Sequence, residues 1–260
     1  MPEWHDHLEA LGPGVVGIAK HGRMEAGAAV VASNVDQLLT GDQRAPEQLI
    51  NAASMPGAVG RVWAMADHHF GYGLPIGGVL ATSHEHGDLG GAVSPGAVGF
   101  DINCGVRMLA LELYDEDLPD PAKLARRLGG RLPAGTSGGG GVTLDARLLR
   151  EILDEGAAEV ADQGFGFVDD VRRLESNGRL EGDAEMLSSR ALERGLGSLG
   201  TIGSGNHFAE IQRVERVIDE STASSWGLEE GQLVAMIHSG SRGLGRSEEH
   251  TSELQSPDHL

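Results

Sequence analysis

The chain has 260 residues, of which 40% are hydrophobic and 4% aromatic, with 40 glycines, one cysteine and a formal net charge of -19. This length suits one large domain or two small ones, with a core that rests on aliphatic side chains. A single cysteine excludes an internal disulfide, and we expect a cytoplasmic protein without a membrane anchor, because we find neither a secretory leader nor a long apolar run.

The spacing of apolar and capping residues predicts helices that alternate with strands. In the clearest helix, Asp120 is placed to cap the first turn, Pro121 suits the first helical position and Gly129 is suited to end it. A second helix is expected to stop at Gly195. In chain order, the predicted helices are 46–53, 120–128, 145–161 and 186–194, and the predicted strands are 106–113, 208–213 and 233–237.

The last fifteen residues, 246–260, differ in character from the rest of the chain. They have no apolar periodicity, and RSEEHTSELQSPDHL resembles the translation of a common sequencing adaptor. We therefore predict that they are a non-native tail and exclude them from the fold. The alternative is a genuine disordered terminus.

The block DHHFGYGLPIGG, at 67–78, places Asp67, His68 and His69 before a glycine-rich turn. Adjacent histidines point to opposite faces of an extended segment, so they are not expected to bind one metal. We favour a structural turn here. The glycines do not fit a dinucleotide fingerprint, and the block is not a P-loop.

Three further glycine-rich blocks each carry residues of metal-ligand type. Asp101 and Cys104 are three positions apart in SPGAVGFDINCGVRM, His207 lies in GTIGSGNHFAE, and His238 lies in MIHSGSRGLG. Taken singly, each block has a structural alternative: a buried cysteine beside a capping aspartate, a glycine-rich turn with a hydrogen-bonded histidine, or a solvated turn. Taken together they predict a metal site, for which the cysteine and histidines make zinc the first expectation.

The last two of these blocks also suit phosphate. The glycine-rich backbone of GTIGSGNHFAE exposes N–H groups that can cradle an anion, and in MIHSGSRGLG the guanidinium of Arg242 can form a fork on phosphate oxygens. Asn206 and Glu210 are candidates for nucleotide contacts. The acidic net charge argues in the opposite direction, because nucleic-acid binding favours a basic surface.

These blocks, in this order over roughly residues 46–245, resemble the RtcB family of RNA-splicing ligases. The resemblance also includes NAASMPG and RALERGLGSLGTIGSGNHFAEIQ, and its most specific parts are FDINCGVR and GSGNHF. It implies an α+β fold with mixed β-sheets and flanking helices. Residues 1–245 would be part of the catalytic domain, and the chain would be truncated.

The resemblance also implies an activity and a set of ligands. The family joins RNA 3'-phosphate or 2',3'-cyclic phosphate ends to 5'-hydroxyl ends, in tRNA splicing and RNA repair, with GTP and two Mn²⁺ ions. By position, Asp101 would bind one Mn²⁺, Cys104 would bridge both, His207 would complete the first site and His238 would join the second. The GTP contacts would be Asn206, His207, Phe208, Ala209 and Glu210, and Arg242 would contact an RNA phosphate.

The chain departs from the family pattern at Ala66 and Ser198, neither of which is an implied ligand. The family continues past HSGSRGLG, where it supplies another Mn²⁺-binding histidine and the histidine that accepts GMP. We therefore assign no catalytic nucleophile to this chain and expect it to be inactive alone. The alternatives are a metallophosphoesterase and a non-catalytic module that binds metal or nucleotide. The partners expected are RNA ends, such as tRNA halves or broken RNA, and no membrane.

Overall fold

The computed structural model describes residues 3–88, 90–97, 101, 104–118, 120–135, 142, 144–241 and 244–245. The chain divides into two compact units, Met1–Gly99 and Phe100–Leu260. Each contains a β-sheet and helices, which confirms the predicted α+β class. Among the described residues, no helix is both long enough and apolar enough to cross a membrane.

The first unit contains a five-stranded mixed sheet in the order β1-β2-β3-β4-β5. Strands β3 and β4 are parallel, and the other neighbouring strands are antiparallel. Two helices make the crossover between β3 and β4, as a parallel connection requires. The strands are Leu8–Gly12, Val15–Ile18, Gly27–Val31, Arg61–His69 and Ile76–Val79, and the helices are α1 (Val35–Thr40) and α2 (Arg44–Ala53).

Helix α2 covers the centre of this sheet. Leu49 is fully buried, together with Ile18, Val30 and Val62 from β2, β3 and β4. The predicted helix at 46–53 is confirmed, and it begins two residues earlier at Arg44. The first unit therefore has its own apolar core.

The second unit contains a three-stranded antiparallel sheet in the order β6-β8-β7. All three predicted strands of this region are confirmed. The central strand, β8, begins with three buried residues, Gln232, Leu233 and Val234. The strands are β6 (Gly105–Tyr114), β7 (Phe208–Arg213) and β8 (Gln232–Ser239).

The helices of the second unit begin mostly at residues whose side chains cap them. In α3 the Asp120 carboxylate accepts a hydrogen bond from the backbone N–H of Lys123, as its sequence predicted. Asp145 and Ser188 cap α4 and α7 in the same way. The helices are α3 (Pro121–Gly129), α4 (Ala146–Glu155), α5 (Ala157–Asp162), α6 (Val168–Val171), α7 (Ser189–Leu196) and α8 (Glu220–Trp226).

Two sequence-based expectations about these helices were wrong in detail. Residues 145–161 form two helices rather than one, because Gly156 has a φ of 73°, which interrupts the helical conformation between α4 and α5. The helix predicted at 186–194 begins at Ser189 instead, and Gly195 does not stop it, because α7 continues to Leu196. A Cβ added at Gly195 would lie 3.0 Å from Cδ2 of Leu149, so this glycine allows α7 to pack closely on α4.

Candidate metal centre

The topology of the second sheet brings the metal-ligand candidates to one end. Cys104 immediately precedes β6, His207 immediately precedes β7, and His238 is the penultimate residue of β8. Because β6 and β7 both run antiparallel to β8, their first residues lie beside its last ones. The register pairs His238 with Val106 on one side and with Phe208 on the other. Positions more than 100 residues apart in the chain thus meet at one end of the strands.

The side chains of these residues lie close together at that end of the strands. Sγ of Cys104 lies 2.8 Å from Nε2 of His238 and 3.5 Å from Nε2 of His207. These three donor atoms all lie within 4.8 Å of one another. Oδ2 of Asp101 lies 2.6 Å from Nε2 of His207. The structure therefore gathers Asp101, Cys104, His207 and His238, the four residues singled out in the sequence, into one cluster.

The cluster is largely shielded from solvent. The His207 side chain is 0% exposed and that of Asp101 is 16% exposed, while His238 is only 1% exposed. An ionised carboxylate in such a place needs a charged or hydrogen-bonding partner. In this cluster the His207 ring is that partner, and a bound cation would be another.

The orientation of each histidine ring is fixed by its surroundings. Nδ1 of His207 lies 2.8 Å from the carbonyl oxygen of Ile202. A carbonyl only accepts, so Nδ1 carries the proton and donates it, and Nε2 faces Cys104 and Asp101. The ring of His238 packs edge-on against Phe208, with centroids 5.2 Å apart.

Two glycines leave the space that the ligands occupy. A Cβ added at Gly203, where φ is 90°, would overlap the ring of His207. A Cβ added at Gly240 would lie 2.7 Å from Oδ1 of Asp101 and 2.8 Å from Cα of Cys104. The sequence predicted that the loop of Gly203 cradles phosphate, and the packing role of both glycines was missed. Their position next to histidine-bearing motifs was the available signal.

The donor set of the cluster fits a divalent cation. One sulfur, two imidazole nitrogens and one carboxylate can each ligate such an ion. Ligands bonded at roughly 2.0–2.3 Å to one ion lie about 3–4 Å apart, and the 3.5 Å between Cys104 and His207 falls in that range. Sulfur and nitrogen favour zinc, whereas the carboxylate of Asp101 is the kind of ligand that Mn²⁺ prefers.

The expected nucleotide contacts lie beside the cluster. Asn206 precedes His207 on the loop, and Phe208, Ala209 and Glu210 are the first three residues of β7. Glu210 is exposed, and its Oε2 accepts a hydrogen bond from Nε2 of Gln212 at 2.8 Å. Arg242 and residues 246–260 lie outside the described residues.

The Asp67, His68 and His69 block belongs to the first unit. Both histidines end β4, and each contacts a backbone carbonyl through Nδ1: His68 that of Met65 and His69 that of Asp67. These local contacts support the interpretation of the block as a structural turn.

The side-chain amide of Gln48 both donates hydrogen bonds to the turn that follows β4 and accepts one from it. Its Nε2 donates to the carbonyl oxygens of Gly71 and Tyr72, and its Oε1 accepts from the backbone N–H of Gly71. The polar atoms of the amide therefore have hydrogen-bond partners, although only 9% of the residue is exposed. This contact fixes the glycine-rich turn against helix α2.

Comparison with known proteins identifies the family. A family model described as tRNA-splicing ligase RtcB matches residues 48–255. The chain belongs to the RtcB family. The RNA-splicing ligase RtcB of Mycobacterium bovis is 48% identical over 202 residues, 76% of this chain and 46% of that protein. The tRNA-splicing ligase RtcB of Archaeoglobus fulgidus is 45% identical over 217 residues, 83% of this chain and 44% of that protein.

This RtcB chain spans less than half the length of these relatives. A third relative, the tRNA-splicing ligase RtcB of Thermococcus kodakarensis, is 44% identical over 204 residues, 78% of this chain and 42% of its own length. The family match includes residues 246–255 of the segment predicted to be non-native. That origin of the tail remains a prediction.

Proposed function

We propose that this RtcB chain carries part of the metal- and nucleotide-binding machinery of an RNA ligase. The reaction is the GTP- and Mn²⁺-dependent joining of an RNA 3'-phosphate or 2',3'-cyclic phosphate end to a 5'-hydroxyl end. The observation that carries the proposal is the cluster of Asp101, Cys104, His207 and His238, which lies within the motifs typical of the family. The names of the relatives, RNA-splicing and tRNA-splicing ligases, support the reaction class.

In this proposal the cluster holds two Mn²⁺ ions. Asp101, Cys104 and His207 would hold one, and Cys104 with His238 would contribute to the second. Bound divalent ions would supply electrostatic stabilisation to phosphate oxygens that gain charge during phosphoryl transfer. The short contacts that Cys104 makes with both histidines, 2.8 and 3.5 Å, support its assignment as the shared ligand.

The residues around the cluster would bind and orient the nucleotide. Asn206 precedes His207 on the loop before β7, and Glu210 lies within β7. Polar groups near the metal ligands are therefore available to GTP. The carboxylate of Glu210 can accept hydrogen bonds from an N–H donor such as a guanine edge. Arg242 would contact an RNA phosphate.

RNA recognition by so acidic a chain has to be local. The net charge of -19 disfavours long-range attraction of a polyanion. Bound cations would reverse the sign of the charge at the cluster itself, because Asp101 and a Cys104 thiolate are only two negative charges. We therefore propose that RNA ends approach the metal cluster, in the cytoplasm, only when it is loaded.

The first experiment measures metal binding by the 260-residue protein. Mn²⁺ is titrated into the protein and the free ion is followed by electron paramagnetic resonance. We expect saturable binding that Cys104→Ser and His238→Asn both weaken. Equal binding by the wild type and both variants would contradict the proposed site.

The second experiment tests the reaction. Protein from the gene's full reading frame is incubated with GTP, Mn²⁺ and two RNA strands, one with a 3'-phosphate and one with a 5'-hydroxyl. Joined RNA that requires both GTP and Cys104 supports the ligase. Release of inorganic phosphate without joining would favour the metallophosphoesterase, and metal or GTP binding without any turnover would favour the non-catalytic module.

A further inference from the structure

One backbone carbonyl in the second unit is shared by two side chains at the cluster. The carbonyl oxygen of Ile202 accepts a hydrogen bond from Nδ1 of His207 at 2.8 Å and another from Oγ of Ser239 at 3.1 Å. Ser239 directly follows His238 at the end of β8. The hydroxyl therefore ties the strand that carries one histidine to the loop that carries the other.

The peptide between Ile202 and Gly203 is of a kind that can rotate. Gly203 has a φ of 90° and has no Cβ that would oppose a change in its backbone conformation. On the other side of the peptide, the N–H of Gly203 donates a long hydrogen bond, 3.2 Å, to Oγ1 of Thr201. The hydrogen bond from Ser239 is an additional restraint on this peptide.

Rotation of this peptide would have a chemical consequence at His207. The N–H of Gly203 would replace the carbonyl of Ile202 beside the ring, and an N–H there cannot accept the hydrogen bond from Nδ1. The ring would lose the contact that fixes its orientation, and that orientation is what makes Nε2 face Cys104 and Asp101.

We infer that Ser239 is a positioning residue: its hydroxyl clamps the Ile202 carbonyl and so holds the His207 ring in the orientation in which Nε2 faces Cys104 and Asp101. The inference rests on the proposed function for the purpose of the clamp, but the clamp itself is a property of the protein without metal. Ser239 acts through Ile202 and His207, and it needs no contact with metal, GTP or RNA.

The test compares two substitutions of equal shape. Ser239→Thr keeps the hydroxyl and Ser239→Val removes it, so both add the same steric burden. The matched control is Ser225→Ala in α8, where the hydroxyl donates to the carbonyl of Thr222 in an exposed position away from the cluster. Thermal melting of all variants shows which are folded.

Two quantities are measured on the full 260-residue protein. In metal-free protein labelled with ¹⁵N-histidine, NMR reports the proton on Nδ1 of His207 and its exchange with water. Electron paramagnetic resonance reports the affinity for Mn²⁺. We expect Ser239→Val to speed exchange of that proton about tenfold and to weaken Mn²⁺ binding about tenfold, in the range found for loss of groups that orient metal ligands. Ser239→Thr and Ser225→Ala should match the wild type.

The outcomes separate the clamp from the proposed function. An unchanged Nδ1 proton in folded Ser239→Val refutes the clamp, whether or not the affinity for Mn²⁺ falls. An equal loss in Ser239→Thr refutes it as well, because the cause would then be steric. A wild-type chain that binds no Mn²⁺ refutes the proposed metal site, and the NMR comparison still decides whether Ser239 holds the His207 ring.

Discussion

Oδ2 of Asp101 lies 2.6 Å from Nε2 of His207, although 106 positions separate these residues in the chain. The contact exists because Asp101 lies shortly before β6, His207 lies directly before β7, and both strands are antiparallel to β8. It places a carboxylate oxygen at the nitrogen that a metal ion would use. The pair therefore defines where the first ion of the proposed centre would be held.

The first prediction concerns the shared ligand. Cys104→Ser should weaken Mn²⁺ binding by roughly 10–100-fold or more, because it removes the atom that contacts both histidines. The two side chains have nearly the same shape, so little repacking is expected. Titration followed by electron paramagnetic resonance measures the effect. Ser225→Ala serves as the control, and a Cys104→Ser protein with wild-type affinity would rule Cys104 out as a ligand.

The second prediction concerns the space beside the ligands. Gly240→Ala should disturb the cluster, because the new Cβ would lie 2.7 Å from Oδ1 of Asp101 and 2.8 Å from Cα of Cys104. The backbone atom cannot move aside cheaply, and overpacking of this kind costs about 1–3 kcal/mol. We expect a lower denaturant midpoint together with weaker metal binding.

The matched control for Gly240→Ala is Gly182→Ala. A Cβ at Gly182 would meet no atom within 4 Å, and its φ lies outside the left-handed region. That variant should unfold at nearly the wild-type denaturant concentration. Should Gly240→Ala behave in the same way as Gly182→Ala, the close packing inferred around Asp101 would be incorrect.

Much of the second unit could be predicted from local sequence, because its signals are local. Each of three signals spans only a few residues: the cap at Asp120, the helix start at Pro121 and the apolar run of β8. The structure confirms the elements that these signals predict. The break at Gly156 was missed because apolar residues keep a helical spacing across it. Only the backbone shows the φ of 73° that separates the two helices.

The membership of the cluster could be inferred from residue types, whereas its support could not. Cysteine, histidine and aspartate are recognisable ligands wherever they occur in a sequence. The Ile202 carbonyl and the Ser239 hydroxyl have no such signature, since every residue has a carbonyl and most serines are solvated. Their roles depend on the register that sets β8 beside β6 and β7.

The third prediction concerns the tail. A protein that ends at Gly245 should melt at nearly the same temperature as the 260-residue protein. Residues 246–260 lack an apolar face whose burial would offset the entropy lost on ordering them. Differential scanning calorimetry of the two proteins gives the comparison. A decrease of many degrees on truncation would show that the tail belongs to the fold.

The fourth prediction concerns pH and the start of α2. The side-chain hydrogen bond from Arg44 lowers the pKa of Asp42 from 3.8 to about 2. A carboxyl whose pKa is lower in the folded state stabilises it above the unfolded pKa, and this contribution is lost as the pH falls from about 4 to 2. The pair is at the surface and is screened by solvent, so the contribution should be small.

Asp42→Asn tests this pH dependence directly. The variant should be slightly less stable than the wild type at pH 7, and the difference should disappear near pH 2, as measured by urea unfolding. NMR titration of the Asp42 carboxyl in the wild type should give a midpoint well below 3.8. A midpoint at 3.8 would mean that Arg44 does not hold the carboxylate in solution.

The fifth prediction concerns covalent chemistry of the 260-residue protein. We expect it to bind Mn²⁺ weakly and to form no covalent GMP adduct when it is given GTP. A nucleophilic histidine needs a free lone pair aligned with the α-phosphate. In the proposed centre Nε2 of His207 and Nε2 of His238 are both metal ligands, and Nδ1 of His207 carries a proton donated to Ile202.

The adduct is measured with GTP labelled at the α-phosphate, as radioactivity that stays on the protein after denaturation. Protein from the full reading frame, treated in parallel, is the comparison, because the relatives are more than twice as long as the segment that matches this chain. Label on the full protein alone would place the nucleophile outside these 260 residues. Stable label on the short chain would contradict the prediction, and substitutions at His68, His69, His84 and His86 would then identify the histidine that carries it.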